Sequence, residues 1–527
     1  MTRADPDLRD AVAPPSRPHG RPHPGGASGP HHPGHVTPAP ADALALEPAA
    51  TTTAARALAR TDRALSRLPA WTVPAGVHPS RRHSVLWTWV LTRAFMLLAV
   101  GFAQENVVGD VAYYGRSLYS MFRHGAPLRE TLQEYPLPVF GVLLPQFLAG
   151  GLNPLAFALL FAVSMLAVDA WFTRSLVRSR ARLRPEAPPG ARGAVGFWLW
   201  FIPLMGPIAY FRFDLVPAVL AGAAILAAAG RPARSGVLTA LGAGLKLWPA
   251  ALLPSFLVRR ESRRAALLGF VASGVVVLLA SVLIGGVSRL VSPLQWQSQR
   301  GLQIESIFAL PLMVARVFHP HGVWQVKVSP YKAWEVFGAG SDLLVAVSTA
   351  ATALTFLWLL WTWFRAWRLP SVDLDLVGWL VFATVAVMTV VNKTLSPQYL
   401  IWLGGPLAAM LLLRERPSAA LRTVVAQMLV IAGLTQLIFP LAYNWLLGTS
   451  SWQLPVATLL LAVRNVLLCW TTWIACREVW MRTRSTSVTG DDLTERPDDE
   501  TAARSFAAAA VAPDDAGGAA QSLSSTA

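Results

Sequence analysis

The sequence predicts an all-α, polytopic helical membrane protein, and three observations predict it. Of the 527 residues, 54% are hydrophobic, only 14% are charged, and 21 are tryptophan. The hydrophobic residues form runs of about 20 residues, the length that crosses a bilayer as a helix. The basic residues cluster in short loops between these runs, as positive loops do on the cytoplasmic side. The net charge of +16 therefore indicates membrane topology, and we expect no nucleic-acid partner.

The two ends of the chain differ from the apolar region between them. Residues 1–83 are rich in Pro, Gly, Ala, His and Arg and contain no long apolar run. Residues 481–527 include acidic stretches and an Ala-rich end. Such compositions bury too little apolar surface to fold. We therefore expect disordered cytosolic tails at 1–83 and 481–527, with a membrane-embedded domain at 84–480.

The apolar runs can be threaded through the membrane in order. The predicted spans lie near 84–103, 152–177, 195–211, 213–230, 266–285, 340–364, 373–391, 396–413, 421–440 and 453–476. Arginine clusters such as RPAR at 231–234 and RRESRR at 259–264 mark the cytoplasmic side.

Residues 235–258 decide on which side of the membrane every later loop lies, because an arginine cluster flanks each end of this segment. A single span would place RRESRR outside and invert every later loop. A hairpin of two helices, each about 11–12 residues and about 16–18 Å long, keeps both clusters inside and puts Lys246 at its tip. For the same reason 136–150 is interpreted as re-entrant or interfacial. The result is about 12 spans with both termini cytoplasmic.

The unusual polar segments then fall together on the extracytoplasmic side. They are NVVGDVAYYGRSL (106–118), ETLQEYPLP (130–138), AYFRFDLVP (209–217), the hairpin tip, WQSQRGLQIES (296–306), NKTLSPQY (392–399) and 441–452. Acidic, basic and aromatic groups at one face favour a site for an anionic, hydroxyl-rich ligand.

The first of these segments also have structural interpretations that require no ligand site. Asp110 with Tyr113 and Tyr114 could cap an interfacial helix, since Asp suits N-caps and Tyr suits the headgroup region. Arg212 and Asp214 could form an ion pair at a helix end.

The later segments have structural alternatives as well. Lys246 could extend to the membrane surface, Arg300 and Glu305 could pair within an interfacial helix, and 392–399 could be a turn. The convergence of all these segments on one face is what favours a common site.

The segments GDVAYY, EYP, FRFDLVP, LKLWPAALLP, QRGLQIES and NKTLSPQYLIW, in this order, resemble actinobacterial membrane glycosyltransferases of family 87, with the GT-C architecture. The resemblance covers about residues 84–480 and makes that region the expected catalytic domain, GT-C-like, with interfacial and re-entrant helices in the outer loops. It implies transfer of a sugar, typically mannose, from a polyprenyl monophosphate donor to a glycolipid or cell-envelope glycan at the extracytoplasmic face of the cell membrane. Donor, acceptor and membrane lipids are the expected partners.

The resemblance also implies roles for individual residues. Asp110 matches the first-loop carboxylate, whose role is general base for an inverting transfer. Fixed cations should stabilise the leaving phosphate, and the candidates are Arg212, Lys246 and Arg300. The candidates for contacts with the sugar or the acceptor are Tyr113, Tyr114, Asp214, Glu305, Gln398 and Tyr399, with His319 and His321 as weaker additions.

Asp110 has no acidic neighbour in the first loop, which favours a mechanism without a metal. We expect no cofactor, although a divalent metal stays open. The alternative function is a multi-span transporter or flippase of lipid-linked sugars, because about 12 spans with both ends inside also suit carriers. The halves show no internal repeat, and the polar groups lie at one face instead of the midplane, so the enzyme is favoured. Mannose and arabinose, and the different glycolipid acceptors, stay open.

Overall fold

The computed structural model describes residues 82–98, 104–183, 192–413 and 417–484. The predicted disordered tails lie outside these ranges, except for helical residues at 82–83 and 481–484. The described part of the chain is mostly helical, which confirms the all-α class. Its helices are α1 (Arg82–Leu98), α2 (Gln104–Arg123), α3 (Val139–Ala149), α4 (Pro154–Leu183), α5 (Arg192–Met205), α6 (Leu215–Ala228), α7 (Pro232–Leu245), α8 (Leu253–Leu257), α9 (Arg263–Ser298), α10 (Leu310–Phe318), α11 (Ser341–Arg368), α12 (Leu374–Val390), α13 (Ile401–Met410), α14 (Ala419–Gln436), α15 (Tyr443–Leu447) and α16 (Gln453–Arg484).

Five of the described helices are long and apolar enough to cross a bilayer. They are α4, α9, α11, α14 with its extension to Leu441, and α16. Most of the other predicted spans are shorter than expected. The helix predicted at 195–211 ends at Met205, because Gly206 takes a positive φ of 79° and Pro207 follows it. A 14-residue helix such as α6 reaches only about 21 Å, less than a hydrocarbon core of about 30 Å.

The short helices lie inside and the long ones outside. All ten residues of α13 are buried, and almost all of α6 and α12 is buried too. In contrast, α9 and α11 turn large apolar side chains outward, as expected for helices that face lipid. Glycines let the inner helices touch: a Cβ on Gly405 would lie 2.0 Å from the Ala218 carbonyl oxygen of α6. Backbone contact of this kind is typical of packing between membrane helices.

The hairpin predicted at 235–258 is confirmed. Helix α7 ends at Leu245, Lys246 is extended (φ −145°, ψ 143°), and a 3₁₀ turn (Trp248–Leu252) leads into α8. The Arg259 guanidinium donates to the Ala228 carbonyl at 3.2 Å. The two arginine-flanked ends of the hairpin therefore lie at the same end of the bundle, and Lys246 lies at the other.

The segment 136–150, predicted to be re-entrant or interfacial, also contains a short helix. Helix α3 has 11 residues, about 16 Å in length, and folds against α4, where Gln146 donates to Ser164 Oγ at 3.0 Å.

One element was not predicted. Residues 299–340 form the loop between α9 and α11, which the threading predicts to be extracytoplasmic and which is called the outer loop below. Within it, β1 (Gln325–Val328) pairs antiparallel with β2 (Trp334–Phe337). The hairpin is attached to the preceding segment by hydrogen bonds from Ile304 N to Trp334 O at 3.1 Å and from Val336 N to Leu302 O at 2.9 Å.

A buried charge cluster joins α1, α4 and α5. The Asp169 carboxylate accepts from Arg93 Nε at 2.9 Å, Trp89 Nε1 at 2.9 Å, Trp198 Nε1 at 2.6 Å and the Tyr210 hydroxyl at 2.6 Å. Arg93 and Asp169 are almost completely buried. A charge buried among apolar helices is tolerated when it is paired and hydrogen-bonded, so this cluster fixes the relative positions of the three helices.

Replacing Asp169 with alanine should therefore destabilise the bundle by about 3–5 kcal/mol, because Arg93 is left buried without its counter-ion. The matched control is Glu261→Ala, which breaks an ion pair with Arg259. The Glu261 carboxylate is 60% exposed, so this substitution should destabilise the protein by only about 0–1 kcal/mol. Thermal unfolding of the purified protein in detergent measures both. Equal losses in the two variants would show that the cluster is not a stabilising centre.

Candidate functional site

A cavity of about 1040 Å³ lies at the Lys246 end of the bundle. Its walls come from α2, the turn before α6, the α7–α8 connection, the C-terminal end of α9, the outer loop and the start of α13. Seven of the ten predicted site residues line it: Asp110, Tyr113, Arg212, Lys246, Arg300, Gln398 and Tyr399. The threading argument, which placed these segments on one face, is consistent with this arrangement.

Asp110 and Arg212 form an ion pair on the cavity wall. Arg212 Nε lies 2.5 Å from Asp110 Oδ2. Arg212 Nη1 also donates to the carbonyls of Val107 at 3.0 Å and Phe211 at 2.9 Å. The Arg212 side chain is buried, whereas the Asp110 side chain is 38% exposed. Arg212 is therefore a fixed support, and the carboxylate is the part of the pair that a ligand can reach.

Lys246 forms a second ion pair beside the first. Its Nζ donates to Asp214 Oδ1 at 2.7 Å, and Trp402 Nε1 donates to the same oxygen at 2.7 Å. The ammonium also lies 4.9 Å from the Tyr399 ring centroid and 5.4 Å from that of Phe213, distances at which aromatic faces attract cations. The Lys246 side chain is mostly buried, so it turns into the protein.

Neither ion pair suggested by sequence proximity, Arg212–Asp214 or Arg300–Glu305, forms. Arg212 pairs with Asp110 and Asp214 pairs with Lys246, so the proposed Arg212–Asp214 pair does not form. The short sequence separation misled because the FRFD turn directs its basic and acidic side chains to different elements.

Glu305 likewise pairs with a residue far away in the sequence. The fully buried Glu305 contacts Arg464 of α16 at 2.6 Å, and Arg464 and Asn465 also donate to its backbone carbonyl. It ties the outer loop to α16 and pairs with α16 instead of with Arg300.

Three predicted residues are absent from the cavity lining in the described part of the chain: Tyr114, Asp214 and Glu305. Tyr114 is 1% exposed, and its hydroxyl lies 3.3 Å from that of Tyr135. Asp214 contacts Lys246, which lines the cavity. In this structure, direct contact between these three side chains and a ligand is therefore not expected. His319 and His321 also lie outside the lining.

Arg300 and Lys332 differ from the two paired cations. Within the described ranges the Arg300 guanidinium has no ion pair and no hydrogen bond. Lys332 donates to the Tyr113 hydroxyl at 2.6 Å and lies 3.8 Å from the centroid of that ring. Burial lowers the pKa of Lys332, while the charge of Glu134 acts in the opposite direction. Burial also raises the pKa of Tyr113 well above its ordinary range.

Several lining residues were not among the predicted site residues. They are Arg116, Glu134, Tyr135, Trp248, Gln303, Lys332, Trp402 and Tyr443. The quoted motifs EYP, LKLWP and QYLIW already contained Glu134, Trp248 and Trp402, so proximity to the chosen residues was an available signal. Lys332 had no such signal, because the strand hairpin that carries it was not predicted.

The chemistry available in the cavity is that of one supported carboxylate, several cations and aromatic faces. No group of three or more His, Cys, Asp or Glu side chains suited to hold a metal occurs among the residues that the structure describes. A carboxylate of this kind can accept a proton, and the cations can hold an anion.

Changing Lys246 to methionine should destabilise the protein by about 3–5 kcal/mol, because Asp214 then stays buried without its counter-ion. The double variant Lys246→Met/Asp214→Asn should recover most of this loss, since no charge is left unpaired. Thermal unfolding in detergent measures the stability of wild type, of Lys246→Met, of Asp214→Asn and of the double variant. Additive losses in the double variant would contradict the coupling.

Comparison with protein families matches residues 135–347 to glycosyltransferase family 87. Comparison with curated proteins and with solved structures found no match. The matched region contains Arg212, Lys246 and Arg300, while Asp110, Gln398 and Tyr399 lie outside it. Residues 135–347 are therefore similar to glycosyltransferase family 87, and this match supports a glycosyltransferase as the activity.

Proposed function

We propose that the protein transfers a hexose, with mannose as the first candidate, from a polyprenyl monophosphate donor to a glycolipid or cell-envelope glycan. The observation that carries this proposal is the Asp110 carboxylate. It is partly exposed on a polar cavity and held from behind by a buried arginine. This is the arrangement required of a general base that must keep its orientation while substrates exchange.

The proposed reaction is a single displacement with inversion. Asp110 takes the proton from the acceptor hydroxyl as that oxygen attacks the anomeric carbon. The bond between the anomeric carbon and the phosphate oxygen breaks, and the polyprenyl phosphate leaves with the bonding electrons. A β-linked donor thus gives an α-glycoside. Cations near the leaving oxygen lower the barrier because negative charge develops there.

The size and position of the cavity support substrates of this kind. Its volume of about 1040 Å³ is at the upper end of ordinary ligand pockets, enough for a sugar phosphate and part of an acceptor. Aromatic residues on its wall, Trp402 and Tyr399, stack at 4.1 Å between ring centroids and offer apolar surface to a sugar. The surrounding outward-facing apolar helices would keep a polyprenyl chain in the lipid.

We propose that this cavity faces the extracytoplasmic side of the cell membrane and that both termini are cytoplasmic. The arginine-rich ends of the α7–α8 hairpin meet at the end of the bundle opposite to Lys246, and arginine-rich loops stay inside.

Asp110→Asn should reduce transfer by about 10²–10⁴-fold, because the amide cannot accept the proton. Membranes carrying the variant are supplied with labelled polyprenyl-phosphate mannose, and the label entering glycolipid is counted. The matched control is Glu130→Gln, an exposed carboxylate between α2 and α3, which should transfer at the wild-type rate.

Two results would contradict this proposal. Unchanged transfer by Asp110→Asn would remove the catalytic role of that residue. Movement of intact donor across reconstituted vesicles by the wild-type protein, with no new glycoside formed, would favour the transporter or flippase instead.

Orientation can be tested with single cysteines in a Cys469→Ala/Cys476→Ala background. Lys327 lies exposed on β1, and Arg260 lies exposed at the start of the α8–α9 turn. A membrane-impermeant thiol reagent should label Lys327→Cys in intact cells and Arg260→Cys only after permeabilisation. The reverse pattern would place the cavity on the cytoplasmic side.

A further inference from the structure

We propose that the phosphate of the lipid-linked donor binds to Arg300 and Lys332 of the outer loop, and not to Arg212 and Lys246. The identity of the donor rests on the function proposed above. The location of the phosphate rests on charge and geometry alone. Lys332 was not among the residues that the sequence predicted for this role.

The charges of Arg212 and Lys246 are already matched. Asp110 Oδ2 lies 2.5 Å from Arg212 Nε, and Asp214 Oδ1 lies 2.7 Å from Lys246 Nζ. A phosphate placed on either cation would come close to a carboxylate that repels it. If the phosphate displaced Asp214 from Lys246, it would leave that carboxylate, which is 1% exposed, without its counter-ion.

Arg300 and Lys332 have no carboxylate in direct contact among the described residues; Glu134 lies near Lys332, and the buried Glu335 lies near Gly301 and Lys393. Neither forms an ion pair with a carboxylate in the part of the chain that the structure describes. Among the described residues, the Lys332 ammonium donates one hydrogen bond, to the neutral Tyr113 hydroxyl. Lys393 lies near both Arg300 and the buried Glu335 carboxylate, and its Nζ donates to the Ser298 carbonyl at 3.0 Å. A planar guanidinium and a mobile ammonium are the two groups that most often bind phosphate in proteins.

The backbone holds both cations on one wall. Lys332 lies in the turn between β1 and β2 with a positive φ of 58°, a conformation that is uncommon for a residue other than glycine. The turn is closed by hydrogen bonds from Ser329 N to Ala333 O at 2.8 Å and from Lys332 N to Ser329 O at 2.9 Å. Because β2 is bonded to Leu302 and Ile304, the turn is attached to the segment that starts at Arg300, and both side chains line the cavity.

The stereochemistry of the proposed reaction favours the same location. In an inverting displacement the base and the leaving group lie on opposite faces of the sugar, with the anomeric carbon between them. Arg212 touches the Asp110 carboxylate directly, so a phosphate on Arg212 would lie on the same face as the base. A phosphate on the outer loop leaves room for the sugar between the leaving group and Asp110.

The test is binding of farnesyl phosphate and of farnesol to the purified full-length protein in lipid nanodiscs. Wild type should bind farnesyl phosphate more tightly than farnesol. Arg300→Gln and Lys332→Gln should each weaken the affinity for farnesyl phosphate by at least about tenfold, the effect of one lost charge-assisted hydrogen bond. Both variants should leave the affinity for farnesol unchanged. Arg129→Gln, an exposed arginine of the same outer region, is the matched control.

A charge-neutral variant of the inner pair separates the two locations. Lys246→Met/Asp214→Asn should keep its affinity for farnesyl phosphate, whatever its rate of sugar transfer. Arg300→Lys and Lys332→Arg keep the charge and should retain most of the affinity, which separates loss of charge from misfolding.

The proposal is overturned if the inner double variant loses phosphate affinity while Arg300→Gln and Lys332→Gln keep it. Equal affinity of wild type for farnesyl phosphate and farnesol would also overturn it. Equal affinity for inorganic phosphate and farnesyl phosphate would assign the site to free phosphate and contradict a lipid-linked ligand. None of these measurements needs sugar transfer, so a failure of the proposed function gives a different result: intact phosphate binding without a glycoside product.

Discussion

A charge buried among apolar helices needs a counter-ion or a set of hydrogen bonds, and this constraint organises the protein. Arg289 and Arg316 are satisfied by backbone carbonyls, and other buried charges form ion pairs. Five ion pairs in the described chain have a buried member: Arg93–Asp169, Arg212–Asp110, Lys246–Asp214, Arg464–Glu305 and Arg482–Asp375. Each pair joins elements that are far apart in the sequence, because a partner nearby could not tie separate helices together. The pairs thus contribute a defined arrangement of helices more than net stability, since burying an ion pair costs solvation that its attraction barely offsets.

The cavity follows from the same arrangement. Helices α6, α7 and α13 are too short to fill the thickness of a bilayer, and glycine contacts such as Gly405 against Ala218 hold them close together. Space is left at the end where they stop, and the outer loop with its strand hairpin contributes to the wall. The ion pairs of Arg212 and Lys246 lie at this boundary, where apolar interior meets cavity.

The sequence predicted these features to different extents. The hairpin around Lys246 could be predicted because arginine clusters at both ends restrict its topology, and a charge count is a local property. The convergence of Asp110, Arg212 and Tyr399 on one cavity followed from that threading. The partners of the charges did not, because Arg212 and Asp110 meet only through the packing of α2 against the turn before α6. Lys332 could not be found either, since its position depends on strand pairing inside a long loop.

The site therefore has two halves with different electrostatics, and this division suits a displacement reaction. In the bundle half, Arg212 neutralises the carboxylate that must stay oriented, and buried hydrogen bonds to Val107 and Phe211 prevent that arginine from turning to a ligand. In the loop half, Arg300 and Lys332 form no ion pair with any carboxylate that the structure describes. An anion binds most strongly where positive charge has no counter-ion. A general base keeps its orientation best where the residue that holds it does not also bind the ligand. Separation of the two roles lets the leaving group depart without disturbing the group that activates the acceptor.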